Sequence, residues 1–213
     1  MALAMTARKC PPVSEHIRAA ATIVLWRHSG AESQVLMGQR GHAAAFMPSK
    51  YVFPGGGVDA GDTTDIHPGL APDCAQRLTL HCNSAAPSPA TLATAALREL
   101  AEETGLTLPN PTPGSLQFIF RAITPPGRSR RFDARFFLTS ATTVVGDSIT
   151  FAGASDELSH LHWIGLSQAR ALDLPFITEV VLAEVCHLLA GHSQPGVPFF
   201  DNSGDTPTFR RLG

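Results

Sequence analysis

Residues 98–106 of the chain are Arg-Glu-Leu-Ala-Glu-Glu-Thr-Gly-Leu. The three glutamates of this stretch, Glu99, Glu102 and Glu103, follow the spacing i, i+3, i+4. On a helix this spacing places all three carboxylates on one side within one turn. Like charges so close destabilise a helix by about 0.2–0.5 kcal/mol per pair. The cluster therefore indicates either a solvated polar face, with Arg98 offsetting Glu102, or a functional site.

The neighbouring sequence predicts that helix and favours the functional alternative. Ser88 is a good N-cap, Pro89 suits a first helical residue and Gly105 a helix end, so we predict a helix from Pro89 to about Thr104. Upstream, residues 55–57 are three consecutive glycines, which form either a plain tight turn or a backbone that other groups can approach closely. Carboxylates beside such a loop suit Mg²⁺, which takes oxygen ligands and is commonly coordinated by substrate phosphates as well as by protein carboxylates.

The composition excludes several classes of protein. The chain has 213 residues, a net charge of −2 and 16% charged residues, against about 25% in an average domain. A nucleic-acid polymer is not expected as a partner, because such binders have a basic face. No apolar run approaches the ~18 residues of a membrane span. The four cysteines are scattered without a CxxC pair, so we expect a cytoplasmic protein without disulfides or a membrane partner.

Residues 98–106 match, at every fixed position, the second half of the Nudix box, and the chain resembles the Nudix hydrolases. The first half of the box is a glycine and an acid six residues later, which Gly56 and Asp62 match with Asp in place of Glu. In the Nudix box the arginine follows the acid by eight residues, whereas Arg98 follows Asp62 by 36, so about 28 extra residues interrupt the box. This split box, with residues 46–62 and 131–137, resembles a branch that includes the peroxisomal acyl-coenzyme A diphosphatases and their bacterial relatives.

The resemblance implies a fold and a reaction. The implied fold is α/β, a Nudix-type α/β/α sandwich with a mixed central sheet. The implied reaction is hydrolysis of the diphosphate bond of a nucleoside diphosphate linked to another moiety. Mg²⁺ or Mn²⁺ would bridge the diphosphate oxygens and lower the pKa of the attacking water. Nudix proteins are often dimers, so a homodimer is also expected.

The resemblance also assigns roles to the residues of the box. Glu102 and Glu103 would be the principal metal ligands, and Glu99 a third ligand or the residue that polarises the water. Arg98 would orient these carboxylates by ion pairing. The loop of Gly55, Gly56 and Gly57 would approach the metal and the phosphates.

Two further acidic positions are candidates. Asp62, like Asp59, is shorter than Glu and would reach a metal directly or through water. Glu157 follows Asp156 just before a predicted strand, where Nudix enzymes often place another catalytic acid. The alternative for Glu157 is an ordinary exposed loop acid.

Three arginines are candidate substrate-binding residues. Arg131 and Arg135 lie four residues apart in a predicted strand and should point to the same face. Guanidinium groups suit phosphate oxygens, and Arg40 is the third candidate. The alternative for each arginine is an ion pair with Asp133 or another acid.

The remaining sequence predicts one domain with two tails. We expect an N-terminal lead-in at 1–17, the Nudix domain at 18–192 with an insertion at 63–90, and a C-terminal tail at 193–213 along the surface. A short helix is expected near residues 73–80 of the insertion. The other predicted elements are strands at 19–26, 35–38, 116–124, 131–139 and 157–163 and a helix at 176–190.

The substrate remains open between alternatives. Coenzyme A or acyl-coenzyme A is the first candidate, and ADP-ribose or another nucleotide sugar is the second. A different class of function is a non-catalytic Nudix domain that senses a ligand or binds a partner. Loss of box carboxylates would indicate that class, and Glu99, Glu102 and Glu103 are all present.

Overall fold

A computed structural model describes residues 16–42, 44, 46–64 and 68–213 of the chain. The predicted lead-in at 1–17 falls mainly on residues 1–15, which lie outside the described residues, and Ile17 already begins the first strand. The strands are β1 Ile17–Ser29, β2 Glu32–Arg40, β3 Tyr51–Val52, β4 Gly55–Gly57, β5 Gln117–Ile123, β6 Arg131–Ser140, β7 Leu158–Gly165, β8 Val197–Asp201 and β9 Thr208–Leu212. The helices are α1 Pro72–Thr79, α2 Pro89–Thr104, α3 Leu166–Ala169 and α4 Phe176–Leu189.

The strands form one mixed sheet. Its order is β3-β2-β1-β6-β5-β8-β9, with β4 paired to β1 and β7 paired to β2. The pairs β1–β6 and β5–β8 are parallel, and the other pairs are antiparallel. Along β1, the neighbour on one side changes from β4 at residues 20–22 to β2 at residues 26–29. The three glycines therefore lie within the sheet, beside the first half of β1.

Two apolar cores cover the two faces of the sheet. On one face, α1 and α2 pack through Leu78, Leu92 and Leu100. On the other face, α4 packs through Val181 and Val185. These layers confirm the predicted α/β/α sandwich with a mixed sheet, because period-two strands present alternate residues to opposite helices.

Local signals set the bounds of α2 where the sequence predicts them. Ser88 is the N-cap, and its Oγ accepts a hydrogen bond from the Thr91 N–H at 3.1 Å. Pro89 is the first helical residue. The helix ends at Gly105, whose φ of 72° is left-handed and favours glycine. The predicted short helix of the insertion is also present, as α1.

The C-terminal segment differs from its prediction. The prediction of a surface tail at 193–213 was wrong, because β8 and β9 form a hairpin that extends the sheet beyond β5. Val197, Phe199 and Leu212 are at most 1% exposed. Their burial against β5 and the α2 side of the core makes this hairpin part of the domain.

Among the described residues, no helix combines the length and apolar character that a bilayer-spanning segment needs.

Candidate functional site

Helix α2 presents its glutamates at three depths. Glu99 and Glu103 are buried, at 7% and 2% exposure, whereas Glu102 is exposed at the helix surface. Glu103 Oε2 accepts a hydrogen bond from the Gly55 N–H at 2.7 Å. Helix α2 thereby holds two carboxylates against strand β4, where a buried acid needs a cation or a proton to be neutralised.

The glycines of β4 make this close approach possible. A Cβ atom placed on Gly56 would lie 2.6 Å from Glu99 Cδ, and one placed on Gly55 would lie 2.6 Å from Thr22 Cα. Both separations are shorter than a Cβ atom tolerates. The predicted reason for three glycines, close backbone approach, is therefore confirmed at Gly55 and Gly56.

Arg98 links the acids of the site. Its Nε and Nη2 donate to the two Asp62 carboxylate oxygens at 2.8 and 3.1 Å. Its Nη1 donates to Glu99 at 3.0 Å and to Glu102 at 2.8 Å, and Nη2 also donates to the Gly57 carbonyl at 3.0 Å. The hydrogen bond with Asp62 is the main reason that the pKa of Arg98 lies above its ordinary value. Arg98 is thus a permanent cation that fixes the carboxylates.

Asp62 is positioned differently from the sequence prediction. It is 2% exposed, does not line the cavity, and has both oxygens engaged by Arg98 and the Asp59 N–H. Burial would raise the pKa of Asp62, but the hydrogen bonds from Arg98 and Asp59 N–H outweigh burial and hold that pKa below its usual range. Asp62 therefore anchors Arg98 through both carboxylate oxygens, and its role as a metal ligand stays a prediction.

The buried glutamates are charged at a cost. Burial raises the pKa of Glu103 to about 8, since the Gly55 N–H and Arg40 only partly offset burial and the charges of Glu99 and Glu157. Burial also raises the pKa of Glu99, with the charges of Glu102 and Glu157 adding to the effect against Arg98. Repelling carboxylates in a buried place are characteristic of a site that accommodates an added cation.

Glu157 belongs to the same electrostatic group. It is exposed and lines the cavity together with Asp156. The loop before it is held at the end of α2 by a hydrogen bond from Ser155 N–H to the Glu102 carbonyl at 2.8 Å. Four glutamates from two segments therefore interact electrostatically around one opening.

A cavity of about 650 Å³ begins at this cluster and extends along the α4 face of the sheet. Its size lies in the usual range of ligand pockets, roughly 300–1,000 Å³. Beyond the acidic cluster, its wall is largely apolar. The larger apolar lining residues are Phe46, Met47, Phe53, Pro125, Phe132, Phe136 and Ile177. The cavity therefore joins an ionic end to an apolar end.

Arg40 lies at this cavity without an ion-pair partner among the described residues. It lines the cavity, and its buried Nε has no hydrogen-bond partner in the described part of the chain. Its charge lowers the pKa of Glu103. A buried, unsatisfied N–H beside an open cavity favours a bound anion.

Arg131 and Arg135 lie away from the cavity. Arg135 pairs with Asp133 Oδ2 at 2.9 Å, and Arg131 donates to the carbonyls of Thr124 and Asn202 at 3.0 and 2.7 Å. The cavity is lined by the intervening residues of β6 instead. The spacing of four residues correctly indicates that Arg131 and Arg135 share a face of the sheet, and this is the face opposite the cavity. A substrate contact for either arginine stays a prediction.

Sequence reasoning missed several cavity residues. Arg18 and the ring pair Phe46 and Phe132, whose centroids are 5.2 Å apart, line the cavity. A usable signal was the alternation Arg18, Ala20, Thr22 in β1, because small side chains on one strand face leave room above the sheet. Only the folded structure shows which helix layer that face meets.

The described residues contain no group of three His, Cys, Asp or Glu side chains that could hold a metal ion on its own. Mg²⁺ at phosphate substrates is commonly held by one or two carboxylates, with substrate oxygens and water completing the shell. The exposed Glu102 and buried Glu103 have the donor chemistry for such an open site. Their surroundings thus fit a cation that binds together with a phosphate ligand.

The chain is similar to known NUDIX proteins in sequence and in structure. The model of the NUDIX domain matches residues 85–185. A NUDIX hydrolase from Alicyclobacillus acidocaldarius has a similar structure, with a TM-score of 0.56 and 25% identity over 79% of this chain and 90% of that chain.

Two other solved structures share the fold at lower identity. An Ap4A hydrolase of C. elegans, in a binary complex, has a TM-score of 0.53 and 17% identity, covering 82% of this chain and 99% of its own. The NUDIX domain of Shewanella oneidensis NrtR, complexed with ADP ribose, has a TM-score of 0.51 and 15% identity, covering 82% and 89%. No curated protein sequence gives a significant match. The match to the NUDIX domain model over residues 85–185 and the architecture shared with the Alicyclobacillus acidocaldarius enzyme together make this chain similar to NUDIX proteins in sequence and in fold.

Proposed function

We propose that this chain is a divalent-metal-dependent diphosphatase that hydrolyses a nucleoside diphosphate linked to another moiety. Nudix hydrolases act on pyrophosphate bonds, and this chain retains every glutamate of the second half of the box. The observation that supports the proposal most strongly is the pair of buried carboxylates, Glu99 and Glu103. Glu99 lines a cavity of about 650 Å³, which Arg40 also lines without an ion-pair partner among the described residues.

In this proposal the acids have separate roles. Glu102 and Glu103 would hold Mg²⁺ or Mn²⁺, Glu99 would be either a third ligand or the residue that polarises the water, and Arg98 would keep the carboxylates in place. The bound ion would neutralise diphosphate charge and lower the pKa of the attacking water. Glu99 and Glu157 are the candidate acceptors of the water proton, because both line the cavity.

Water would attack one phosphorus atom and break its bond to the bridging oxygen. The products are two phosphomonoesters, and the proton leaves to a carboxylate or to solvent. Arg40 would bind a phosphoryl oxygen at the ionic end of the cavity. The β4 backbone would lie alongside the diphosphate, as the lack of side chains there permits.

The apolar end supports coenzyme A or acyl-coenzyme A as the preferred substrate class. Phe46, Phe132 and Phe136 offer aromatic surface to a base or an apolar arm. ADP-ribose is the second candidate, and the Shewanella oneidensis NUDIX domain with this fold is complexed with ADP ribose. A domain that binds such a ligand without hydrolysing it is the third alternative.

A substrate panel separates these alternatives. Purified protein is incubated with coenzyme A, an acyl-coenzyme A, ADP-ribose, a nucleotide sugar and Ap4A, with Mg²⁺, Mn²⁺ or EDTA. Products are identified by ion-exchange chromatography and mass spectrometry. We expect metal-dependent cleavage into two phosphomonoesters, with the highest kcat/KM for coenzyme A derivatives. A higher kcat/KM for ADP-ribose would contradict coenzyme A derivatives as the preferred substrate class. Binding without turnover would contradict the catalytic proposal.

A further inference from the structure

Arg18 lies beside the glycine strand, and none of the assigned roles includes it. It is exposed near the start of β1 and lines the cavity, and its side chain makes no ion pair or hydrogen bond with any described residue. A Cβ atom placed on Gly57 would lie 3.2 Å from Arg18 Nη2. The guanidinium therefore rests against the far end of β4.

Several other arginines of the sheet and of α2 are engaged within the protein. Arg98, Arg121, Arg131 and Arg135 each bond to carboxylates or carbonyl oxygens of the protein. A guanidinium has five N–H donors, and an unpaired one at a cavity wall is available to an anion. Arg18 differs from these arginines because its N–H donors have no partner among the described residues.

The position of Arg18 complements that of Arg40. Arg40 acts electrostatically on Glu103, which is hydrogen-bonded to Gly55, whereas Arg18 lies at Gly57. Strand β4 spans two residue steps between these glycines, or about 7 Å. Arg18 and Arg40 both line the cavity together with this glycine backbone, and neither side chain has an ion-pair partner among the described residues.

We propose that Arg18 binds the substrate's diphosphate at the Gly57 end of β4 and that Arg18 and Arg40 together clamp it. This inference rests on the proposed function, which supplies the diphosphate. Each arginine would donate charge-assisted hydrogen bonds to phosphoryl oxygens. Arg18 would act on binding more than on the chemical step, because its contact is made with the bound ground state as well as the transition state.

The test compares Arg18→Gln with Arg18→Lys and with Arg170→Gln as a matched control. Arg170 is exposed and does not line the cavity, and its side chain makes no ion pair or hydrogen bond with a described residue. For a hydrolysed conjugate, we expect Arg18→Gln to raise KM by about 10- to 100-fold with kcat changed less than about 3-fold. Arg18→Lys should restore part of the affinity, and Arg170→Gln should match the wild type.

Inorganic pyrophosphate provides a second readout that does not depend on turnover. Its binding in the presence of Mg²⁺ is measured by titration calorimetry for the same variants. We expect Arg18→Gln to weaken pyrophosphate binding by a factor similar to the KM change, because this probe has no base or apolar arm. Unchanged KM or unchanged pyrophosphate binding in Arg18→Gln would overturn the inference. The wild type could hydrolyse no conjugate while Arg18→Gln still binds pyrophosphate more weakly than the wild type does. In that case Arg18 is a diphosphate-binding residue and the proposed function fails.

Discussion

At the residue scale, Glu103 shows the conflict between stability and site chemistry most clearly. Its side chain is 2% exposed, and burial raises its pKa to about 8. A carboxylate in this place destabilises the folded protein when it is ionised and no cation compensates it. A residue kept against that cost is typical of a functional site.

Glu103→Gln is therefore expected to stabilise the metal-free protein. The amide oxygen can still accept the Gly55 N–H, and the charge is removed. We expect a gain on the order of 0.5–2 kcal/mol in the free energy of unfolding at pH 7. Urea denaturation in EDTA measures it, and a loss of stability would show that the carboxylate is not under electrostatic strain.

The pH dependence of that gain has a defined sign. The pKa of Glu103 is raised on folding, so between about pH 4 and pH 8 the folded state binds more protons than the unfolded state. Wild-type stability is therefore lost as the pH rises through this window, relative to the Gln variant. The difference between the two proteins should grow from pH 5 to pH 8, and a constant difference would contradict the assigned pKa.

Gly56 tests the close approach of backbone and carboxylate. In Gly56→Ala the new methyl group would displace the Glu99 carboxylate, whose end is flexible enough to move. We expect the fold to survive, with a stability change within about 1 kcal/mol, while metal-dependent turnover falls at least about 10-fold. Thermal unfolding and initial rates measure the two effects. Gly61→Ala is the control, because a Cβ there meets no atom within 4 Å, and equal losses in both variants would contradict this role.

At the element scale, prediction succeeded where the signals are local. The bounds of α2 follow from Ser88, Pro89 and Gly105, which act through hydrogen bonds and backbone angles within a few residues. The period-two pattern of β6 correctly groups Arg131 with Arg135. It does not show which face meets the cavity, because that depends on which helix layer covers each face of the sheet.

The C-terminal hairpin was missed for a related reason. Residues 193–213 are rich in Gly, Pro and Asp, which are typical of turns and loops. Strand β8 is held by parallel pairing with β5, more than seventy residues earlier in the chain. Such long-range pairing leaves little local signal, so the short apolar runs around Phe199 were interpreted as a surface tail.

Phe199 tests whether this hairpin belongs to the core. It is 1% exposed, and the Arg121 guanidinium lies 4.3 Å from its ring centroid. Phe199→Ala should lower the free energy of unfolding by about 3–5 kcal/mol. Phe209→Ala in the next strand is the control, since Phe209 is 58% exposed and should change stability by less than about 1 kcal/mol. Equal effects in urea denaturation would contradict the burial of the hairpin.

At the scale of the whole molecule, the site depends on both layers of the sandwich. Helix α2 on one face supplies the glutamates, and β4 supplies the glycine backbone between β1 and α2. The cavity then continues on the α4 face, where alternate residues of β1 and β6 are Ala20, Thr22 and Ala134. The ionic half of this site could be predicted from residues 98–106, because the motif is contiguous, whereas the apolar half is assembled from separate strands and a loop.

The central claim is that Glu103 belongs to a metal-dependent hydrolytic site. The most direct measurement is kcat of Glu103→Gln with Mg²⁺ on the best substrate of the panel, beside circular dichroism and thermal unfolding of the same sample. We expect a folded protein that is at least as stable as the wild type without metal and whose kcat is at least about 100-fold lower. A folded variant that retains wild-type kcat would contradict it.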